Sequence, residues 1–216
     1  MDPLRFCIAV APLSVYLLIL GILNLRRRPF LTTGARDVAA LGIGVMGLIV
    51  AGPMELFFPE GAASRFGPWV WLLLAIFYGL CISLAVLLMR PRLVIYNVSM
   101  EELRPILTRT AQRLDPKSRW VGNALLMPDL GIHLHAEPVD WLRNIQLVSG
   151  GNQQSFEGWR QLEAELDRDL ENLSVRPNYA GVPLLVISAA FAVTAAVWML
   201  GDQQAVANAL DDLLRN

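Results

Sequence analysis

The sequence predicts an integral membrane α-helical bundle of four transmembrane helices carrying a small cytoplasmic α+β two-layer domain. Three observations predict it. Of the 216 residues, 55% are hydrophobic and 17% charged, with a mean hydropathy of +0.46, whereas soluble domains carry about 25% charged residues. Four stretches, about 6–25, 38–58, 69–89 and 180–200, reach the roughly 20 apolar residues that a helix needs to cross a bilayer. Between the third and fourth lies a polar segment, 90–179, whose periodicity changes from helical to alternating and back.

The composition also narrows function. Net charge is -1, with 18 basic against 19 acidic residues, so no bulk attraction to nucleic acid is expected. Two cysteines cannot build a disulfide framework. Cys7 and Cys81 both fall inside apolar spans and read as small buried hydrophobes.

The first span is followed at once by Arg26, Arg27 and Arg28, where a signal peptide would carry small residues for cleavage. It is therefore expected to stay in the membrane. Arg36 lies in the same loop, and Arg90 and Arg92 follow the third span. The loop between spans two and three holds only Arg65 with Glu60 nearby, and the tail sets Arg215 against Asp202, Asp211 and Asp212. Basic residues concentrate in cytoplasmic loops. The expected topology has both termini outside and residues 90–179 in the cytoplasm. Arginine stands in place of lysine almost throughout, as in a GC-rich bacterial genome, and a bacterial inner membrane is the expected location.

The second span contains Gly42, Gly44 and Gly47 in a G-x-G-x-x-G pattern. A dinucleotide site needs a preceding strand; inside an apolar helix the glycines read as close-packing positions. Ala75, Gly79 and Ser83 in the third span, and Ser188, Ala192 and Ala196 in the fourth, form similar stripes. They suit a compact bundle, a protein partner or a homo-oligomer, with the lipid bilayer as the surrounding partner. Glu55, between Pro53 and Pro59, is the one acidic residue within a span. Such residues are candidates for ion or proton paths, although its place near the span end also suits an interfacial role. No histidine lies in a span, which excludes a bis-histidine haem bundle.

In the polar segment, Leu93–Tyr96 reads as a strand. Ser99 and Glu102 have capping-box spacing ahead of a helix that runs to Leu114 and tolerates Pro105. From 118 to 149 the period is two, broken by Gly122-Asn123, Pro128-Asp129 and Glu137-Pro138, with a return strand from Trp141 to Val148. A final helix spans 155–173 with Phe156, Trp159, Leu162, Leu166 and Leu170 on one stripe. The order is strand, helix, antiparallel meander, helix, in loose outline a ferredoxin-like plait. Residues 201–216 read as a short amphipathic tail.

His133, His135 and Glu137 are the one chemical constellation. Alternate strand residues face the same way, so the three could meet one metal ion; equally, they could be the polar outer face of a half-buried strand. No nucleophile elbow, Walker pattern or C-x-x-C is present, and no cofactor is implied. The expected work is non-enzymatic interaction, scaffolding or sensing. The alternatives are a metal-binding enzyme or sensor on the His-x-His-x-Glu strand, and a small channel or transporter subunit using Glu55.

The arginine distribution makes a direct prediction. A reporter active only in the cytoplasm should work when fused after residue 30 or 150, and should be silent after residue 64 or at the C-terminus. Activity at the C-terminal fusion would remove the fourth span.

Overall fold

The computed structural model describes residues 3–54, 65–67, 69–139, 143–151 and 154–201. Four helices are long and apolar enough to cross a membrane: Pro3–Leu25, Gly34–Met54, Trp69–Leu88 and Gly181–Gly201. The elements in order are α1 (Pro3–Leu25), β1 (Phe30–Thr33), α2 (Gly34–Ile49, continuing as a π-helical turn Val50–Met54), α3 (Trp69–Leu88), β2 (Arg92–Tyr96), α4 (Met100–Leu114), β3 (Arg119–Val121), β4 (Ala124–Met127), β5 (Ile132–Val139), β6 (Asn144–Ser149), α5 (Phe156–Glu171) and α6 (Gly181–Gly201). They form two compact units. One comprises residues 1–19, 38–88 and 183–216, the other residues 20–37 and 89–182. Glu55 and the expected tail helix lie outside the described residues.

In the first unit the outward surface is apolar: Leu87 is 81% exposed, Phe77 65% and Leu80 62%. A soluble protein would bury such residues. Small residues set the helix contacts. A Cβ on Gly47 would lie 2.1 Å from the Ile8 carbonyl oxygen of α1, and one on Gly44 would lie 2.8 Å from Tyr16 Cβ. Ile8 is the residue whose carbonyl loses its helical partner because Pro12, four residues on, has no N–H. Glycine lets the α2 backbone cover that orphaned oxygen. The Tyr78 hydroxyl donates to the Gly42 carbonyl at 2.8 Å, and the Ser188 hydroxyl to the Ser14 carbonyl at 2.8 Å. Of the roles open to the small-residue stripes, packing within the bundle is seen for the second helix, and the third stripe differs. Among the described residues, nothing beyond its own helix backbone comes within 4 Å of a Cβ built on Gly79, and the Ser83 hydroxyl donates to the Gly79 carbonyl of the same helix at 2.8 Å. Near residue 50 the second span turns π-helical around Pro53, where the missing N–H disturbs the ladder.

The second unit is a six-stranded sheet, every pair antiparallel, in the order β1-β2-β6-β5-β4-β3. The capping box at Ser99 and Glu102 is present in full, and α4 carries Pro105 without breaking. Helices α4 and α5 bury Leu103, Leu107, Leu162 and Leu166 with Ile95, Leu125, Leu134 and Leu147 of the sheet in one core. The plait outline does not hold: four strands, β3 to β6, run consecutively between α4 and α5, where a plait has two. Nor did the period-two reading find β1. It comes from the loop between the first two spans and pairs with β2 from Phe30↔Tyr96 to Thr33↔Leu93. The return strand starts at Asn144; Trp141, its expected start, is outside the described residues.

The last turn of α1 belongs to this unit and is closed by it. Helix-end carbonyls have no intrahelical donor. Here Asn178 N–H donates to Asn24 O at 2.9 Å, Val175 N–H to Arg27 O at 2.9 Å, and the Asn97 side-chain amide to Arg26 O. Asn24, Asn97 and Asn178 are buried. Asn97 adopts a left-handed φ of 58°, which asparagine tolerates better than most residues. A Cβ on Gly181 would lie 2.7 Å from Gly21 O, so glycine lets the start of α6 approach α1.

Side-chain bonds tie the helices to the turns. Buried Asp115, which follows α4, accepts from the N–H groups of Lys117 and Asp129, both at 2.8 Å. Asp169 of α5 accepts from Thr110 and Arg113 of α4. Arg143 donates to Glu102 at 2.8 Å and to Arg176 O at 3.0 Å. Burial pushes the Glu102 carboxyl up, but the Ser99 N–H and hydroxyl and the Arg143 charge together outweigh it and hold it below its ordinary value.

Two predictions follow from this packing. Trp159 is 5% exposed in the core. Trp159→Ala should lower the opening free energy of β5 amides by about 3–5 kcal/mol, read by hydrogen exchange on the full chain in detergent. Glu102 binds a proton less readily folded than unfolded. Its stabilising contribution is therefore complete above the ordinary carboxylate range and lost as pH falls through its lowered value. Acidification should weaken protection around Ser99 and Arg143 more in the native chain than in Glu102→Gln.

Candidate functional site: the open half of a sheet face

Alternation along β5 decides what the sheet presents. Ile132, Leu134 and Ala136 are buried against the helices, while His133, His135 and Glu137 are exposed on the opposite face. Across the strands His133 lies beside Leu126, His135 beside Ala124 and Val148, and Glu137 beside Gln146. Arg119 and Val121 of the edge strand continue this face, and Val121 is 58% exposed. The surface is mixed: imidazoles and one carboxylate among small and branched apolar side chains.

β6 ends level with Leu134, and other groups complete its pairing with β5. Gly150 N–H donates to His133 O at 2.7 Å. The Gln154 side chain accepts from His133 N–H at 3.4 Å and donates to His133 O at 3.1 Å, so its amide stands in for a strand peptide. Trp159 Nε1 holds that amide by donating to its oxygen at 3.0 Å. The His135 ring leans over Gly150, where a Cβ would come within 2.8 Å of Cδ2 and Nε2.

The other half of the same face is closed. Gly34 and Asp37, in the first turn of α2, lie against β2. The Arg92 side chain crosses Gly34 so tightly that a Cβ there would be 2.2 Å from Arg92 Cγ. Arg92 reaches Gln146 Oε1 at 3.3 Å and approaches Asp37 Oδ2 at 3.9 Å. The Tyr96 hydroxyl donates to Asp37. Val94 and Thr32, between them, are buried. Arg92 Nε is buried and, among the described residues, has no hydrogen-bond partner. Asp37 also sits where a helix N-terminus favours negative charge.

The three residues singled out in the sequence thus share one exposed face. Among the described residues, no group of three or more His, Cys, Asp or Glu side chains converges closely enough to hold a metal ion. Sequence reasoning missed Asp37, Tyr96 and the role of Arg92, which it read only as a topology signal. An acidic residue opening an apolar helix was the available cue for Asp37. On the helical side, the grooves along Glu101–Gln112 and between Ile106, Arg109, Asp169 and Leu173 are open and shallow. No protein-family model, curated protein or solved structure matches the chain.

Proposed function

We propose that this chain is a multi-pass protein of a bacterial inner membrane, with both termini outside and residues 90–179 cytoplasmic. Its α+β unit serves as a non-enzymatic interaction, scaffolding or sensing module. One observation supports this most: a single sheet face is half open and half gripped by the first turn of α2. Glu137 neighbours Gln146, Gln146 accepts from Arg92, and Arg92 faces Asp37 at the start of an apolar helix. A partner seated over Leu126, His133 and His135 would press on side chains adjoining that series. Catalysis would call for a nucleophile or acid–base pair in a cleft, and this surface is instead a broad strand face. Gly79 and Ser83, both exposed, leave α3 a face for a second copy.

The test is site-specific cross-linking in intact cells. A photoreactive residue at position 121 or 126 should yield one discrete adduct, identified by mass spectrometry, and one at position 109 should not. Equal labelling from both faces would end this reading. The metal-dependent alternative draws support from His133, His135 and Glu137 sharing one face. Calorimetric titration with zinc would favour it if one equivalent bound to the native chain and none to His135→Ala.

A further inference from the structure

We infer that the junction of α1 and α6 is a binding site for the phosphate headgroup of an anionic phospholipid, formed by Arg26, Arg27, Arg28 and Arg176. All four are exposed, and among the described residues none has a carboxylate partner. The fold gathers them although they are far apart in sequence. Val175 N–H donates to Arg27 O at 2.9 Å, which sets Arg176 beside the arginine run, and Arg143 fixes Arg176 by donating to its carbonyl at 3.0 Å. The carbonyls of Asn24, Arg26 and Arg27 already have donors in Asn178, Asn97 and Val175. The backbone carbonyls of this turn are thus engaged by amides and are not acceptors for the guanidinium groups.

The position selects the occupant. Arg26–Arg28 follow α1 directly and Arg176 precedes α6 by a few residues, and both helices are long and apolar enough to cross a membrane. Guanidinium groups at such ends lie at headgroup depth. Their planar forks suit phosphate oxygens, and exposed Tyr179 lies beside the start of α6, as interfacial aromatics do. A lipid phosphate is the anion always present at that level. The inference rests on reading α1 and α6 as membrane spans.

The test uses the full chain in neutral detergent, mixed with phosphatidylglycerol or phosphatidylcholine and passed through gel filtration, with co-eluting lipid counted. The native chain should retain phosphatidylglycerol at least about tenfold over phosphatidylcholine. The quadruple variant R26Q/R27Q/R28Q/R176Q should bring that ratio close to one. R104Q/R109Q, on the exposed side of α4, should leave it unchanged, and lysine at the four positions, which keeps the charge without the fork, should lower it only in part. Circular dichroism checks folding; if the quadruple variant unfolds, R28Q and R176Q singly should each reduce the ratio measurably. No preference in the native chain, equal loss in the α4 variant, or full-ratio binding by the folded quadruple variant overturns the site. Displacement by inorganic phosphate but not by chloride at equal ionic strength would make it a free-phosphate site and overturn the lipid assignment. Alkaline extraction separates the two readings. Protein released from membranes refutes the spans themselves, whereas retained protein without lipid preference refutes only the site.

Discussion

A helix that leaves an apolar environment must hand its last carbonyls to donors, and in this chain that requirement organises the sheet unit. The Asn24 carbonyl in the last turn of α1, and the Arg26 and Arg27 carbonyls just past its end, are met by groups from two distant segments: Asn97 just past β2, and Val175 and Asn178 ahead of α6. Each donor fixes a different part of the unit. Asn97 ends β2 in a left-handed conformation and turns the chain into the capping box of α4. Val175 and Asn178 bring the chain back from α5 and start α6 against Gly21 and Asn24. With α1 so held, the next residues are delivered as β1 along β2. An unmet carbonyl here would cost about 1–3 kcal/mol if buried; the Asn97 side chain meets one directly, while the Asn178 side chain donates to the Asn24 side chain at 3.3 Å and so joins the two buried amides.

The same economy of small groups governs the first unit. Pro12 removes a donor and Gly47 removes a side chain, and the two meet at Ile8 O. Neither residue is favourable within a helix interior. Together they permit a backbone approach that a larger residue would prevent, and this close contact is the kind that associates helices where lipid supplies no hydrophobic drive.

What could be read in advance was whatever is local. The capping box at Ser99, the alternation of β5 and the stripe of α5 each lie within one segment and follow from period and cap chemistry alone. β1 did not announce itself because Phe-Leu-Thr-Thr is too short for its alternation to stand out after an arginine run. Its partner, moreover, lies beyond two apolar helices. The grip on Asp37 was hidden for the same reason, since Tyr96 and Arg92 reach it only through that pairing. For His133, His135 and Glu137 the alternation revealed a shared face, but how far side chains converge depends on neighbouring strands, which no spacing rule encodes.

The position of β1 at the sheet edge also imposes an order of events on synthesis. This strand is made before the two apolar helices that precede β2, and β2 itself completes its pairing only once β6 exists. Until then the segment between α1 and α2 has no partner for its backbone. Long-range pairing of this kind is slow to form and leaves strand edges open meanwhile. The arginines ahead of β1 and the brevity of the strand are features that discourage mispairing during such a wait. Assembly of the sheet thus becomes a late event, in which a strand left behind by an early helix hairpin is recovered by a domain made afterwards.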